Sequence, residues 1–173
     1  MQFRLDQAIE VLTQTPDVLS ALLRGKSADW LNARKTPESF SPLDVLGHLN
    51  HGEMTDWIPR VRIILEHRDS KAFDPFDRFA FQALIAGKTV EQLLDAFAEL
   101  RRQSLESLHE LGIGEAQLDL RGMHPEIGTV TLRNLISTWA VHDLGHIGQI
   151  VKTMASEYRD AVGPWRAYLG ILD

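Results

Sequence analysis

The spacing of apolar residues constrains this chain most. Over four long stretches they recur three and four apart, which places them on one face of a 3.6-residue helix, whereas alternation of period two is scarce. The first stretch, residues 3–23, carries Leu5, Ile9, Leu12, Val18, Leu19 and Leu22; Thr15-Pro16-Asp17 predicts a kink or restart near its middle, and Gly25 marks its end. The second opens at Ser41-Pro42-Leu43-Asp44, an N-cap residue followed by proline and an acid in the first turn, and runs to about His67 with a bend expected at Pro59. The third begins at Thr89 and stops at Gly112, carrying Val90, Leu93, Leu94, Phe97, Leu100, Leu105 and Leu108. The fourth extends from Thr131 to about Ser156 through Leu135, Trp139, Ile147, Ile150 and Met154. Four helices of this kind cannot bury their apolar faces alone, so residues 1–173 are read as a single all-α domain, a four-helix bundle. The tail, Gly163-Pro164-Trp165-Arg166-Ala167-Tyr168-Leu169, is expected to be a short helix docking its aromatics on the bundle.

Two inter-helix connections are long. Residues 68–88 hold Phe73, Phe76, Phe79 and Phe81, and residues 113–130 include Met123-His124-Pro125. Such loops either cover one end of the bundle, with the aromatic one shaping an apolar pocket, or bury a satellite cluster of their own.

With 173 residues, 18 Lys+Arg against 24 Asp+Glu and a net charge of −6, the chain offers no basic footprint for nucleic acid. It has no cysteine, which excludes disulfides, thiolate metal sites and a cysteine nucleophile, so any metal must rest on His, Asp or Glu. The polar start and the lack of an apolar run of about 18 residues predict a cytoplasmic protein without membrane association. No nucleophile elbow, phosphate loop, dinucleotide fingerprint, H-E-x-x-H motif or paired Glu-x-x-His is present.

The seven histidines carry the chemistry. His142 and His146 stand four apart, offset by about 40° on the helix, on the stripe of Leu135, Trp139 and Ile150 that must face the core. His48 lies on the inward stripe of the second helix with Val45, Leu49 and Gly52. Three inward imidazoles on two helices form a facial set for Zn²⁺, Ni²⁺, Fe²⁺ or Cu²⁺, with positions left for water or substrate. The alternative is a group of core histidines satisfied by hydrogen bonds. His51, about 60° from His48, lines the same pocket or faces solvent. Asp143 and Gln149 either orient the imidazoles or bond elsewhere. Glu53 and Asp56 are either proton-transfer groups or part of a solvated face. His124 reaches over the site or serves a turn, whereas His67 and His109 read as surface positions. Gly145 and Gly148 predict close helix approach or space beside the metal. No catalytic residue is assigned.

The runs Asp44-Val45-Leu46-Gly47-His48-Leu49-Asn50-His51-Gly52-Glu53 and Thr138-Trp139-Ala140-Val141-His142-Asp143-Leu144-Gly145-His146-Ile147-Gly148-Gln149-Ile150, with Thr131-Leu132-Arg133-Asn134-Leu135 before the second, resemble the DinB-like superfamily. The resemblance extends to His124-Pro125-Glu126-Ile127-Gly128 and Gly163-Pro164-Trp165-Arg166. It implies an up-down-down-up bundle, often a homodimer, with a divalent ion, zinc or nickel first and iron or manganese also compatible, on His48, His142 and His146. It further implies one of two roles. One is metal-dependent chemistry on a small molecule, including S-transfer from a low-molecular-weight thiol cosubstrate such as bacillithiol or mycothiol. The other is a non-catalytic, stress-related metal-binding dimer.

Overall fold

The computed structural model describes residues 2–173. Helix α1, Leu5–Leu23, is followed by a short α2, Ala28–Asn32, and the second stretch forms α3, Pro42–Thr55, and α4, Trp57–His67. A short α5, Phe81–Ile85, precedes α6, Val90–Glu110; a one-turn α7, Glu115–Leu118, leads into strands β1, Arg121–His124, and β2, Gly128–Thr131; α8, Leu132–Ser156, is the longest helix. Three of the four predicted helix starts hold capping boxes, the first having no side-chain cap: Ser41 with Asp44, Thr89 with Gln92 and Thr131 with Asn134 each exchange side chain and backbone hydrogen bonds, satisfying two amide donors at each helix end.

The two expected bends resolve differently. Pro16 leaves α1 unbroken. The second stretch breaks at Asp56 (φ −111°, ψ −66°), not at Pro59. A proline ring clashes with the carbonyl four residues earlier, here Thr55, so the discontinuity falls ahead of the proline, which then sits in the first turn of α4 where its missing N–H costs nothing.

Chain direction follows from which residues meet in the two apolar clusters. One joins Leu19 and Leu23 at the end of α1, Val45 and Leu49 of α3, Leu93 and Phe97 early in α6 and Ile150 late in α8. The other joins Ala8 and Leu12 early in α1, Val61 and Ile64 of α4, Leu108 at the end of α6 and Leu132 and Ile136 early in α8. The α3/α4 unit and α6 therefore run parallel to each other and antiparallel to α1 and α8, giving the up-down-down-up bundle. The α3/α4 unit and α1 each pack on α6 and α8, so every long segment touches its parallel mate and one antiparallel neighbour.

The long connections are more structured than loops. Residues 113–130 contain α7 and a β-hairpin, the one departure from an all-helical chain among the described residues. Its register pairs Arg121 with Thr131 and His124 with Gly128, and Gly128 takes the positive φ (77°) that closes the Pro125-Glu126-Ile127 tip. Phe73 hydrogen-bonds through its backbone to Met123, tying the aromatic connection to the hairpin. The helix α5 lies against α3 at Gly47, where an added Cβ would come within 3.0 Å of Phe81 Cδ2 and closer still to Ile85. The tail departs from expectation. It forms two 3-10 turns, Gly163–Tyr168 and Gly170–Leu172, that leave Trp165 and Tyr168 exposed while Leu172 is buried and anchors the last turn on α8. No described helix is long and apolar enough to cross a membrane.

Candidate metal centre

The stripes that the sequence sets inward on α3 and α8 meet, and they bring His48, His142 and His146 together. Nε2 of His142 lies 3.1 Å from Nε2 of His48 and 3.1 Å from Nε2 of His146, and one ligand nitrogen from each ring lies within 4.8 Å of the others. Each neutral imidazole has one N–H and one lone pair. If His142 Nε2 carries the proton it can serve only one neighbour; if it does not, a single lone pair faces two donors. Three lone pairs turned on one cation remove that conflict, and nitrogens 3.1 Å apart can both reach an ion at about 2.0–2.1 Å. The residues therefore fit a divalent metal.

The electrostatics agree with the fit. Burial, reinforced by the neighbouring imidazoles, pushes the pKa of His48 down to about 4 and that of His142 down to about 3. Burial also lowers His146, against the opposing influence of Gln149 and Asp143. All three rings are thus neutral near pH 7, the form a metal requires. His146 Nδ1 is held by Gln149 Oε1 at 3.0 Å, so Gln149 orients the His146 ring from the nitrogen turned away from the other histidines. Nδ1 of His48 and of His142 are buried without a hydrogen-bond partner.

Behind the histidines lies a polar layer between the two apolar clusters. Arg101 of α6, 1% exposed, donates to Glu53 Oε1 of α3 (2.8 Å), to Asp143 Oδ2 of α8 (2.7 Å) and to the backbone oxygen of Leu12 in α1 (2.8 Å). The last acceptor is free because Pro16, four residues on, has no N–H to give it. One guanidinium thus fastens all four long segments. Burial works to lower its pKa, but the two carboxylates outweigh that and raise it, keeping the charge in place. One cation facing two carboxylates leaves a formal negative surplus, and Glu53 Oε2 and Asp143 Oδ1 have no hydrogen-bond partner. A buried surplus of that sign beside His142 favours a cation in front of it. Glu53 also accepts from Trp139 Nε1 (3.0 Å), Trp139 stacks on Trp57 (5.6 Å, 11°), and Trp57 sets its edge against His142 (5.2 Å).

A cavity of about 420 Å³ opens against His48 and His142, with walls from Trp57, Phe73, Phe76, Ile127, Val130 and Leu135. Its size suits a small organic molecule. The aromatic connection and the hairpin together form its outer wall. Asp56 and Arg60 lie in it as an ion pair (2.5 Å), and burial pushes the Asp56 carboxyl up while Arg60 pulls it down. A second cavity of about 380 Å³ reaches all three histidines from the side of Ser39, Phe40 and Gln149.

The remaining sequence expectations sort by geometry. His124 does both things considered for it: its Nδ1 accepts from the backbone N–H groups of Glu126 and Ile127, closing the turn, and its ring lines the larger cavity. His51 is not brought to the triad; it packs on Phe76 (5.0 Å) and lines a separate depression with Asp74 and Asp77. Glu53 and Asp143 are not solvated, being held by Arg101, and His67 and His109 are exposed. Gly145 and Gly148 do not mark close helix approach, because an added Cβ at either would have nothing within 4 Å. Sequence reasoning missed Arg101, although it stands four residues after Phe97 and seven before Leu108 on the inward stripe of α6. That placement is the signal that could have found it.

Similarity to known proteins follows the same lines. YfiT from Bacillus subtilis, described as a probable metal-dependent hydrolase with an unusual four-helix bundle topology, superposes with a TM-score of 0.75 at 21% identity, over 91% of this chain and 93% of its own. The four-helix bundle protein TT2238 superposes with a TM-score of 0.59 at 20% identity, over 85% of this chain and 98% of its own. At these identities the likeness is one of fold. No curated protein matches in sequence. The profile of the DinB superfamily matches residues 11–150, which include every long helix wholly or in large part and all three clustered histidines, and the chain belongs to the DinB superfamily.

Proposed function

We propose that this protein is an enzyme using a divalent metal on His48, His142 and His146 to activate a water or a thiol for attack on a small organic substrate. The observation that carries the reading is a cluster of three neutral imidazoles, two of which, His48 and His142, line a cavity of about 420 Å³. A closed structural site would have no need of such a cavity. An ion bound there, zinc or nickel by ligand type, supplies a lowered pKa to the water or thiol it holds. The chain's own residues do the rest. Gln149 fixes the orientation of His146, and Trp57 and Phe76 flank the histidines and exclude bulk solvent.

Hydrolysis is supported by the description of YfiT as a probable metal-dependent hydrolase. Thiol transfer is supported by a different observation, the second cavity, which gives a cosubstrate its own approach to the same imidazoles; with no cysteine in the chain, the thiol must come from outside. Assembly as a homodimer belongs to the same reading. Along α8, Val141 (67% exposed) and Leu144 (54% exposed) form an apolar strip with Gly145 and Gly148, whose outer sides are open.

The test is metal analysis after chelation and resupply. The wild type is expected to regain close to one ion per chain and a His142→Ala/His146→Ala variant to lose it. Cobalt substitution then reads the open position: its visible spectrum should shift when a thiol is added or when pH is varied. A cobalt spectrum insensitive to both would make the site closed and non-catalytic.

A further inference from the structure

The larger cavity has two arginines, and they are in different states. Arg60 is nine-tenths buried, paired with Asp56 at 2.5 Å and laid over Phe73 (5.1 Å), so its charge is already answered. Arg78 forms no ion pair among the described residues. Arg78 is exposed, and its guanidinium rests over the rings of Phe79 (5.0 Å) and Phe40 (5.4 Å), which meet edge to face. Phe40 in turn lies 5.9 Å from the His48 ring. Arg78 lines both cavities that reach the histidines. The acids sharing these cavities are Asp56, committed to Arg60, Glu126 at the exposed hairpin tip, and Glu38 beside the smaller cavity; none pairs with Arg78.

A guanidinium held by stacking keeps its in-plane N–H donors free, in the fork geometry that matches a carboxylate. On a chain of net charge −6, an unpaired cation at the edge of a cavity whose other charged residues are the mutually paired Asp56 and Arg60 and the hairpin-tip Glu126 marks where a ligand's negative charge goes. We propose that the site takes a small molecule with an apolar body and a carboxylate, and that Arg78 is the residue that selects it. The body occupies the space between Trp57, Phe73, Phe76 and Leu135, and the carboxylate meets Arg78 at the mouth shared by the two cavities. The assignment of this molecule as substrate rests on the enzyme reading above; the recognition itself does not.

Two probes of the same shape separate charge from fit: phenylacetate and phenylacetamide, titrated calorimetrically at pH 8 into metal-loaded and metal-free protein. Phenylacetate should bind more tightly than the amide in both forms. Arg78→Gln should weaken phenylacetate by roughly tenfold and leave the amide unchanged, and Arg78→Lys, which keeps the charge but not the fork, should fall between. The metal-free arm excludes direct ligation of the carboxylate as the source of the preference. Equal weakening of both probes by Arg78→Gln, a charge preference that survives it, or failure of phenylacetate to bind at millimolar concentration would overturn the proposal. The two readings fail separately. Loss of metal stoichiometry with the preference intact defeats the enzyme and spares the anion site, whereas full metal content with no preference does the reverse.

Discussion

At the scale of single residues, the sharpest dependence is that of Arg101 on Pro16. A proline inside a helix normally costs a hydrogen bond and bends the axis. Here the carbonyl it orphans, that of Leu12, is taken by a side chain from another helix, so the cost to α1 becomes a tie between α1 and α6. Replacing Arg101 by Met should destabilise the fold by about 3–5 kcal/mol, because two buried carboxylates then lose their counter-charge. Neutralising those partners as well, in an Arg101→Met/Glu53→Gln/Asp143→Asn variant, should recover much of that loss; urea unfolding of the two variants checks both parts. If the single variant unfolds at the wild-type midpoint, the cluster contributes no stability. The three histidines were legible in the sequence because they fall on stripes already set by leucine and tryptophan. Arg101 was not, since an inward stripe was traced through apolar side chains alone. Ser104 was passed over for the same reason, while Leu100 and Leu105, counted as core, turn out half-buried.

At the scale of elements, starts were more legible than interruptions. Ser41, Thr89 and Thr131 cap their helices through side chain bonds to residues three positions on, a signal contained within four residues. The break at Asp56 depends on a clash felt one turn before the proline, and the hairpin depends on pairing between two strands of only four residues each, too short to show alternation. What α5 does was also hidden, because its place is set by contact with a distant glycine. Gly47→Ala should push Phe81 and Ile85 away from α3 and cost about 1–3 kcal/mol, as overfilling of a packed interface does. Chemical denaturation measures the cost, and phenylacetate affinity reports whether the displaced α5 also disturbs Arg78. A variant as stable as the parent would show that α5 is not held against α3 at that point.

At the scale of the whole molecule, the exposed strip on α8 sits on the helix that carries two of the three clustered histidines. Leu144→Glu should convert a homodimer to a monomer in sedimentation velocity, since a charge at the centre of an apolar contact removes more than its own share of the buried area. A monomeric wild type would remove the dimer from the account. Bundle direction was implied by family resemblance and is independently visible in the two apolar clusters; the partnership between the aromatic connection and the hairpin was not, because nothing local in either segment names the other.

The division of labour between these parts carries a consequence for how such a protein can change. The clustered histidines stand on α3 and α8, whose relative placement is locked by Arg101, whereas much of the cavity's outer wall comes from residues 73–78 and the hairpin tip, which lie outside that lock. Substitutions, or even changes of length, in those two segments can reshape the cavity while the geometry of the histidine cluster stays as it is. The bundle behaves as a fixed socket with an exchangeable faceplate, and the diversity of substrates open to chains built this way should be written in their connections rather than in their helices.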